Sequence, residues 1–172
     1  MSVKKRRNSI GQQFIAHRRD MRESPAWRHL PDNARRILDR LELEHMRHGS
    51  AENGRLPCTY ADFEKAGIRR KSIALAIRQC AGLGFLEVTR QGRRSIAEFR
   101  TPSLYRLTYV HGTGRSQAPT DEWQRISTDE HAVAVVAALK AAPSRDLESR
   151  GENAPRTVGA RTPPAHGRHK GR

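Results

Sequence analysis

The chain has 172 residues, and its 33 lysines and arginines outnumber its 18 acidic residues, so that the formal net charge is +15 at pH 7. A basic excess of this size indicates a polyanionic partner, most commonly a nucleic acid. The chain has no apolar run close to the ~20 residues of a membrane span, and its basic start lacks the apolar stretch of a secretory signal. These features exclude a membrane or secreted protein and predict a cytoplasmic one, associated with the nucleoid.

Composition divides the chain into four stretches. Residues 1–11 are predicted to form a flexible basic arm, and residues 12–125, which hold every aromatic side chain, to form one domain around a single core. That domain begins with a weak helical pattern over residues 12–22. Residues 126–142 are predicted to add a short helix, with Val133, Val136 and Leu139 in register on one face. Residues 143–172 are rich in Pro, Gly, Arg and Ala and have little to bury, so they are predicted to be a disordered basic tail.

Residues 31–48 are predicted to form the first long helix. Its apolar residues recur at the spacing of one helix face, namely Ala34, Ile37, Leu38 and Leu41. Pro31 suits the first helical position. Upstream of this helix, Ser24 followed by Pro25 predicts a helix cap and a short turn that carries Trp27 towards the core.

The next segment has the pattern of an edge strand followed by a short helix. Residues 56–59 are predicted to be extended, and Pro57 confines them to the edge of a sheet. Thr59 and Asp62 have the spacing of a capping box, which starts a helix. Gly67 is predicted to end that helix after about two turns.

A second long helix is predicted over residues 70–83. Its apolar stripe again has the spacing of one helix face and consists of Ile73, Ala76, Ile77, Cys80 and Leu83. Gly84 is placed to be a left-handed residue that ends the helix. The inward side of this helix is therefore predicted to face the core.

A strand pair is predicted to follow, with a basic turn at its tip. Residues 85–90 form the first strand, residues 91–94 the turn, and the chain returns from Ile96, is interrupted at Pro102 and resumes over residues 104–110. Alternate residues of the last segment are aromatic or apolar, namely Tyr105, Leu107 and Tyr109. The order of these elements predicts an α+β fold, a winged helix-turn-helix with a three-helix core and a β-hairpin wing.

The outer face of the second long helix is predicted to bind DNA. Opposite the core stripe lie Lys71, Leu75, Arg78 and Gly82, flanked by Ala74 and Gln79. No carboxylate occurs between Glu64 and Glu87, which suits a surface that approaches phosphates. Arg78 and Gln79 are predicted to read bases, because Arg pairs with guanine and Gln with adenine, and Leu75 to meet a thymine methyl group.

Residues at the helix start and in the wing are predicted to hold the DNA backbone. The start of the helix offers side chains and N–H groups to a phosphate through Arg69, Arg70, Lys71 and Ser72. The basic residues of the wing are Arg90, Arg93, Arg94 and Arg100. Gly82 would permit a close approach of the DNA backbone. The alternative is that the basic residues of the helix and of the wing are only solvated surface charges.

No catalytic or metal-binding pattern is visible in the sequence. Ser, His and Asp residues are scattered without a nucleophile elbow or a Gly-rich phosphate loop. His45 and His48 lack further ligands and fit exposed positions near a helix C-terminus, and Cys58 and Cys80 fit reduced core thiols. The sequence therefore predicts no enzyme, no cofactor, no metal and no small-molecule substrate.

Six stretches of the chain together resemble winged-helix proteins of bacterial plasmids, phages and integrated mobile elements, some of them replication-initiator-like. They lie at residues 24–28, 32–48, 52–54, 59–63, 67–85 and 120–123. The resemblance extends over about residues 14–125, so that the tail is outside it. It implies double-stranded DNA binding by the helix over residues 72–83.

Three functions follow as hypotheses. The first is double-stranded DNA binding as a transcriptional regulator or as a replication-initiator-like factor of a plasmid or phage, with a homodimer left open. The second is a winged-helix protein–protein module, which the acid-free helix and the basic wing disfavour. The third is nonspecific binding of RNA or other nucleic acid, which requires the basic tails to dominate the affinity.

Overall fold

The structure is a computed structural model that describes residues 12–92, 101–112 and 117–142. Within these ranges the chain is an α+β protein with six α-helices, a short 3₁₀ helix and one three-stranded antiparallel sheet. The helices are α1 (Arg19–Glu23), α2 (Pro25–Arg28), α3 (Asp32–Arg47), α4 (Tyr60–Lys65), α5 (Arg70–Gly82) and α6 (Asp129–Ala141). The strands are β1 (Leu56–Cys58), β2 (Leu86–Arg90) and β3 (Ser103–Leu107), and the 3₁₀ helix is Glu122–Arg125. This order is compatible with a winged-helix arrangement. The predicted arm over 1–11 and the predicted tail over 143–172 lie outside the described residues.

Helix starts follow the predicted caps. The Ser24 hydroxyl accepts a hydrogen bond from the Trp27 backbone N–H at 3.2 Å, and Pro25 begins α2. Thr59 and Asp62 form the predicted capping box: the Asp62 N–H donates to Thr59 Oγ1 at 3.3 Å, and the Thr59 N–H donates to Asp62 Oδ2 at 2.9 Å. Pro31 is the residue before α3 rather than its first residue, because its backbone stays extended.

The helical pattern over residues 12–22 is wrong for most of its length, since α1 begins only at Arg19. The preceding residues are not helical. His17 lies against the rest of the domain instead: its Nε2 is 2.8 Å from Glu42 Oε1 on α3, and its ring stands edge-on to Trp27 with 5.6 Å between centroids. These tertiary contacts replace the weak local preference for a helix.

The sheet has the strand order β1-β3-β2, so that β1 is an edge strand as predicted. Tyr105 of β3 lies opposite Leu56 on one side and Val88 on the other. The register of β2 shifts between Val88 and Arg90. The return strand predicted from Ile96 lies in a part of the chain that the structure does not describe.

Asn53 explains why β3 ends at Leu107 although the apolar pattern continues to residue 110. Its side chain is 2% exposed, and its Oδ1 accepts from the Leu107 N–H at 2.8 Å. Its Nδ2 donates to the carbonyl oxygens of Leu107, Val110 and His111 at 2.8, 3.2 and 3.0 Å. A single amide thus satisfies backbone groups that a strand partner would otherwise satisfy.

The core lies between α3, α5 and the inner face of the sheet. Trp27 meets Phe85 edge-on at 5.4 Å between ring centroids, and Phe63 meets Tyr105 at 5.9 Å. The predicted stripes of α3 and α5 are buried in this core. Cys80 is also buried, and its Sγ donates to the Ala34 carbonyl oxygen at 3.1 Å, which joins the two long helices.

The helix predicted over residues 126–142 is present as α6 and packs on α5 and α2. Its inward residues are Ala132, Val135, Val136 and Leu139. The predicted register, with Val133 turned inward, is wrong because Val133 is 51% exposed. The core also includes Ile126, so it continues past residue 125. None of the helices in the described ranges is both long and apolar enough to cross a membrane.

Candidate nucleic-acid interface

The N-terminal end of α5 is a basic surface. Arg69 precedes the helix and Arg70 and Lys71 begin it, and all three are exposed. The first turn of α5 contains no acidic residue, and no side chain caps it. Positive side chains therefore add to the positive end of the helix dipole, where an anion is stabilised.

Arg70 differs from its two neighbours because it is held within the domain. Its Nη1 donates to Glu64 Oε2 at 2.9 Å, and its guanidinium lies 5.7 Å from the centroid of the Tyr60 ring. Neither Arg69 nor Lys71 forms an ion pair with another described residue. Arg69 and Lys71 therefore carry most of the uncompensated charge at this end of α5.

Arg36 of α3 belongs to the same surface, although the sequence reasoning missed it. Its side chain is exposed, and its Nη1 donates to the Gly67 carbonyl oxygen at 3.0 Å, in the turn between α4 and α5. The sequence holds only one local signal for it, an outward position on the predicted first long helix. Helix α3 passes beside this turn because of contacts between segments that are distant in the chain, and these contacts cannot be predicted from the local sequence.

The predicted base-reading residues do not share one environment. Gln79 is 3% exposed, so the prediction that its amide reads a base is wrong. The C-terminal half of α5 has α6 as well as α3 packed on it, and this widens its buried arc beyond the predicted stripe. Leu75, Arg78 and Ser72 are half-buried, and their contacts with DNA stay predictions.

Gly82 was predicted to make room for the DNA backbone, but it makes room for helix α6 instead. A Cβ at this position would lie 2.7 Å from Leu139 Cδ1 and 3.3 Å from Val135 Cγ1, both of α6. The absence of a side chain at Gly82 therefore allows α6 to pack closely on α5. Ala81 and Gly82 themselves remain exposed, so α6 takes the space of a Gly82 side chain without covering the end of α5.

The wing is described only at its base. Arg90 is exposed at the end of β2, and the Gly92 N–H donates to Ser103 Oγ at 2.9 Å, which joins the two sides of the hairpin. The predicted contacts of Arg93, Arg94 and Arg100 fall on residues 93–100, outside the described ranges.

The cysteines and histidines form no reactive centre in the part of the chain that the structure describes. Cys58 and Cys80 are free and buried, as predicted, and burial raises the pKa of the Cys58 thiol to about 12. His48 is exposed, but His45 is 4% exposed, which contradicts its predicted surface position. His45 lies on the α3 face that turns towards the core. Among the described residues, no group of three or more metal-ligating side chains is placed to hold an ion.

Comparison of the chain with known protein families, with curated proteins and with solved structures found no match.

Proposed function

We propose that the chain binds double-stranded DNA as a winged helix-turn-helix protein. The N-terminal half of α5 would enter the major groove, and the hairpin between β2 and β3 would lie on the neighbouring backbone. The observation that carries the proposal is the exposed basic surface at the start of α5, where the first turn holds no acidic residue. It is formed by Arg69 and Lys71 and extended by Arg36 of α3.

The position of α6 supports the proposal that the N-terminal half of α5 enters the major groove. Leu139 and Val135 of α6 lie beside the helix at Gly82, whereas Arg69, Arg70 and Lys71 at the start of α5 are exposed. In helix-turn-helix proteins the N-terminal residues of the recognition helix contact the base edges. Arg78, one turn before Gly82, is then the last residue of α5 within reach of a base.

The same surface serves either of two biological roles, a transcriptional regulator or a replication-initiator-like factor, since both require recognition of a duplex site. A protein–protein module has no need for unpaired positive charge concentrated at the start of one helix. Nonspecific binding of RNA would depend on total charge and not on the position of the charges. The location of positive charge therefore distinguishes the proposal from its alternatives.

The test compares two double variants that remove the same amount of charge. Arg69→Ala/Lys71→Ala removes two positive charges from the start of α5. The control, Arg19→Ala/Arg125→Ala, removes two exposed charges from α1 and the 3₁₀ helix. Binding of fluorescent duplex DNA selected from a random pool is measured by anisotropy from low to moderate salt.

We expect the α5 variant to lower the affinity and to reduce the salt slope by about 0.9 for each phosphate that the protein no longer neutralises. The control should stay close to the unmodified protein. Equal losses of affinity in the two variants, or equal competition by RNA, would favour nonspecific charge binding. A salt-independent affinity would contradict the electrostatic basis of the proposal.

A further inference from the structure

The middle of helix α6, from Ala132 to Leu139, is apolar on both of its faces. The inward face packs on α5 and α2, and the outward face consists of Val133, Ala134, Ala137, Ala138 and Ala141, all exposed. No polar side chain occurs from Ala132 to Leu139. A helix that is apolar all round is normally buried all round, so the outward face, which we call the α6 outer face, indicates a further partner.

The remaining segments of the chain are poor candidates for that partner. Residues 143–172 follow directly on α6, but Leu147 and Val158 are their only large aliphatic side chains. Residues 1–11 contain four lysines and arginines. Neither segment offers an apolar stripe that matches the α6 outer face in length.

The charges at the two ends of α6 favour a second copy of the chain as the partner of the α6 outer face. Two molecules of net charge +15 repel each other, but α6 carries Glu130 in its first turn against Lys140 in its last, and its Asp129 is paired with Arg28 of α2. It is therefore a surface on which two copies can approach. If the two α6 helices run antiparallel, Glu130 of each copy lies near Lys140 of the other. The two antiparallel helix dipoles then also attract each other.

We propose that the α6 outer face is a homodimer interface in which two copies pair through antiparallel α6 helices about a twofold axis. The alanines let the two helix backbones approach closely. A pair of 13-residue helices buries less than the roughly 1,200 Å² of a stable interface. The dimer is therefore weak in the free protein. If the proposed DNA binding holds, two adjacent half-sites would strengthen it by raising the effective concentration.

The test is sedimentation equilibrium of the full chain without DNA, over micromolar to submillimolar concentrations. We expect a concentration-dependent monomer–dimer equilibrium that Val133→Glu weakens by about tenfold or more, since each dimer would then bury two like charges. The control is Leu43→Glu on α3, because Leu43 and Val133 are equally exposed, at 50% and 51%. The control should dimerise like the unmodified chain, and circular dichroism checks that each variant is folded.

A charge exchange tests the antiparallel orientation. Glu130→Lys should weaken the dimer, and Glu130→Lys/Lys140→Glu should restore it, because the exchanged charges again lie opposite each other. A chain that is monomeric at every concentration would overturn the proposal, as would a dimer unaffected by Val133→Glu. A double variant that fails to recover would overturn the antiparallel pairing. These measurements contain no DNA, so a failure of the DNA-binding proposal leaves them interpretable.

Discussion

Gly84 is a residue whose identity the surrounding backbone restricts closely. Its φ is +81°, and a Cβ there would lie 2.5 Å from the backbone of Glu122 and Trp123. Its carbonyl oxygen also accepts from Thr108 Oγ1 at 2.6 Å. Gly49 has a φ of +62° but no atom within 4 Å of such a Cβ. The two glycines thus share a left-handed backbone and differ in their surroundings.

Alanine substitutions at these two positions should separate conformational strain from steric overlap. Gly49→Ala should lower the free energy of unfolding by about 1 kcal/mol, the usual cost of a left-handed alanine. Gly84→Ala should lower it by about 2–5 kcal/mol, because overpacking against backbone adds to the same strain. Urea unfolding of both variants measures the difference. Equal decreases would show that the 3₁₀ helix moves aside at little cost.

At the scale of elements, α6 is fastened to α2 by charge as well as by packing. Arg28 Nη2 lies 2.8 Å from Asp129 Oδ2, and His29 Nε2 lies 2.9 Å from Asp129 Oδ1. The hydrogen bond from the Arg28 guanidinium, together with that from His29, holds the pKa of Asp129 below its ordinary value. The folded domain therefore prefers the ionised carboxylate of Asp129.

This preference predicts how Asp129→Asn should behave with pH. A carboxyl whose pKa is lowered by folding stabilises the folded state above its unfolded pKa of about 3.9. That contribution is lost as the pH falls through the lower folded value. The variant should therefore be less stable than the unmodified chain at neutral pH, by a small amount because the pair is exposed. Thermal unfolding from neutral to acidic pH should show this gap closing, and a gap of constant size would contradict the assigned role.

At the scale of the whole molecule, the chain after α6 is basic and has little apolar surface to bury. Among the residues that the structure describes, the buried core lies between Met21 and Ala132. Residues 143–172 hold seven lysines and arginines against three acidic residues. A segment of this composition cannot offset its ordering entropy by apolar burial, but its charges can attract phosphates.

Removal of residues 143–172 should leave the melting temperature unchanged and lower the affinity for nonspecific DNA. Preference for a selected site should persist, because the proposed reading surface lies on α5. The measurements are thermal unfolding and competition between selected and random duplexes, with and without the tail. A lower melting temperature would mean that the tail packs on the domain. A loss of site preference would mean that it takes part in recognition.

The sequence alone predicted most of the elements and several of their boundaries. The capping box of Thr59 and Asp62, the left-handed Gly84 and the buried stripe through Ile73 and Ile77 are all present. Each depends on groups within a few positions of each other, because helix hydrogen bonds and side-chain periodicity are short-range. Such features can be read before any long-range contact is known.

Only the tertiary structure decided which surfaces remain open. The burial of Gln79, the exposure of Val133 and the arrival of Arg36 beside Gly67 each depend on segments far apart in the chain. Periodicity shows that a helix has an inward face but not how many neighbours will cover it. Helix α5 has α3 on one side and α6, some fifty residues later, on another. The second neighbour lies beside Gly82 and leaves the basic first turn of α5 exposed. Packing follows the apolar area available in the folded chain, which the local pattern of α5 does not contain.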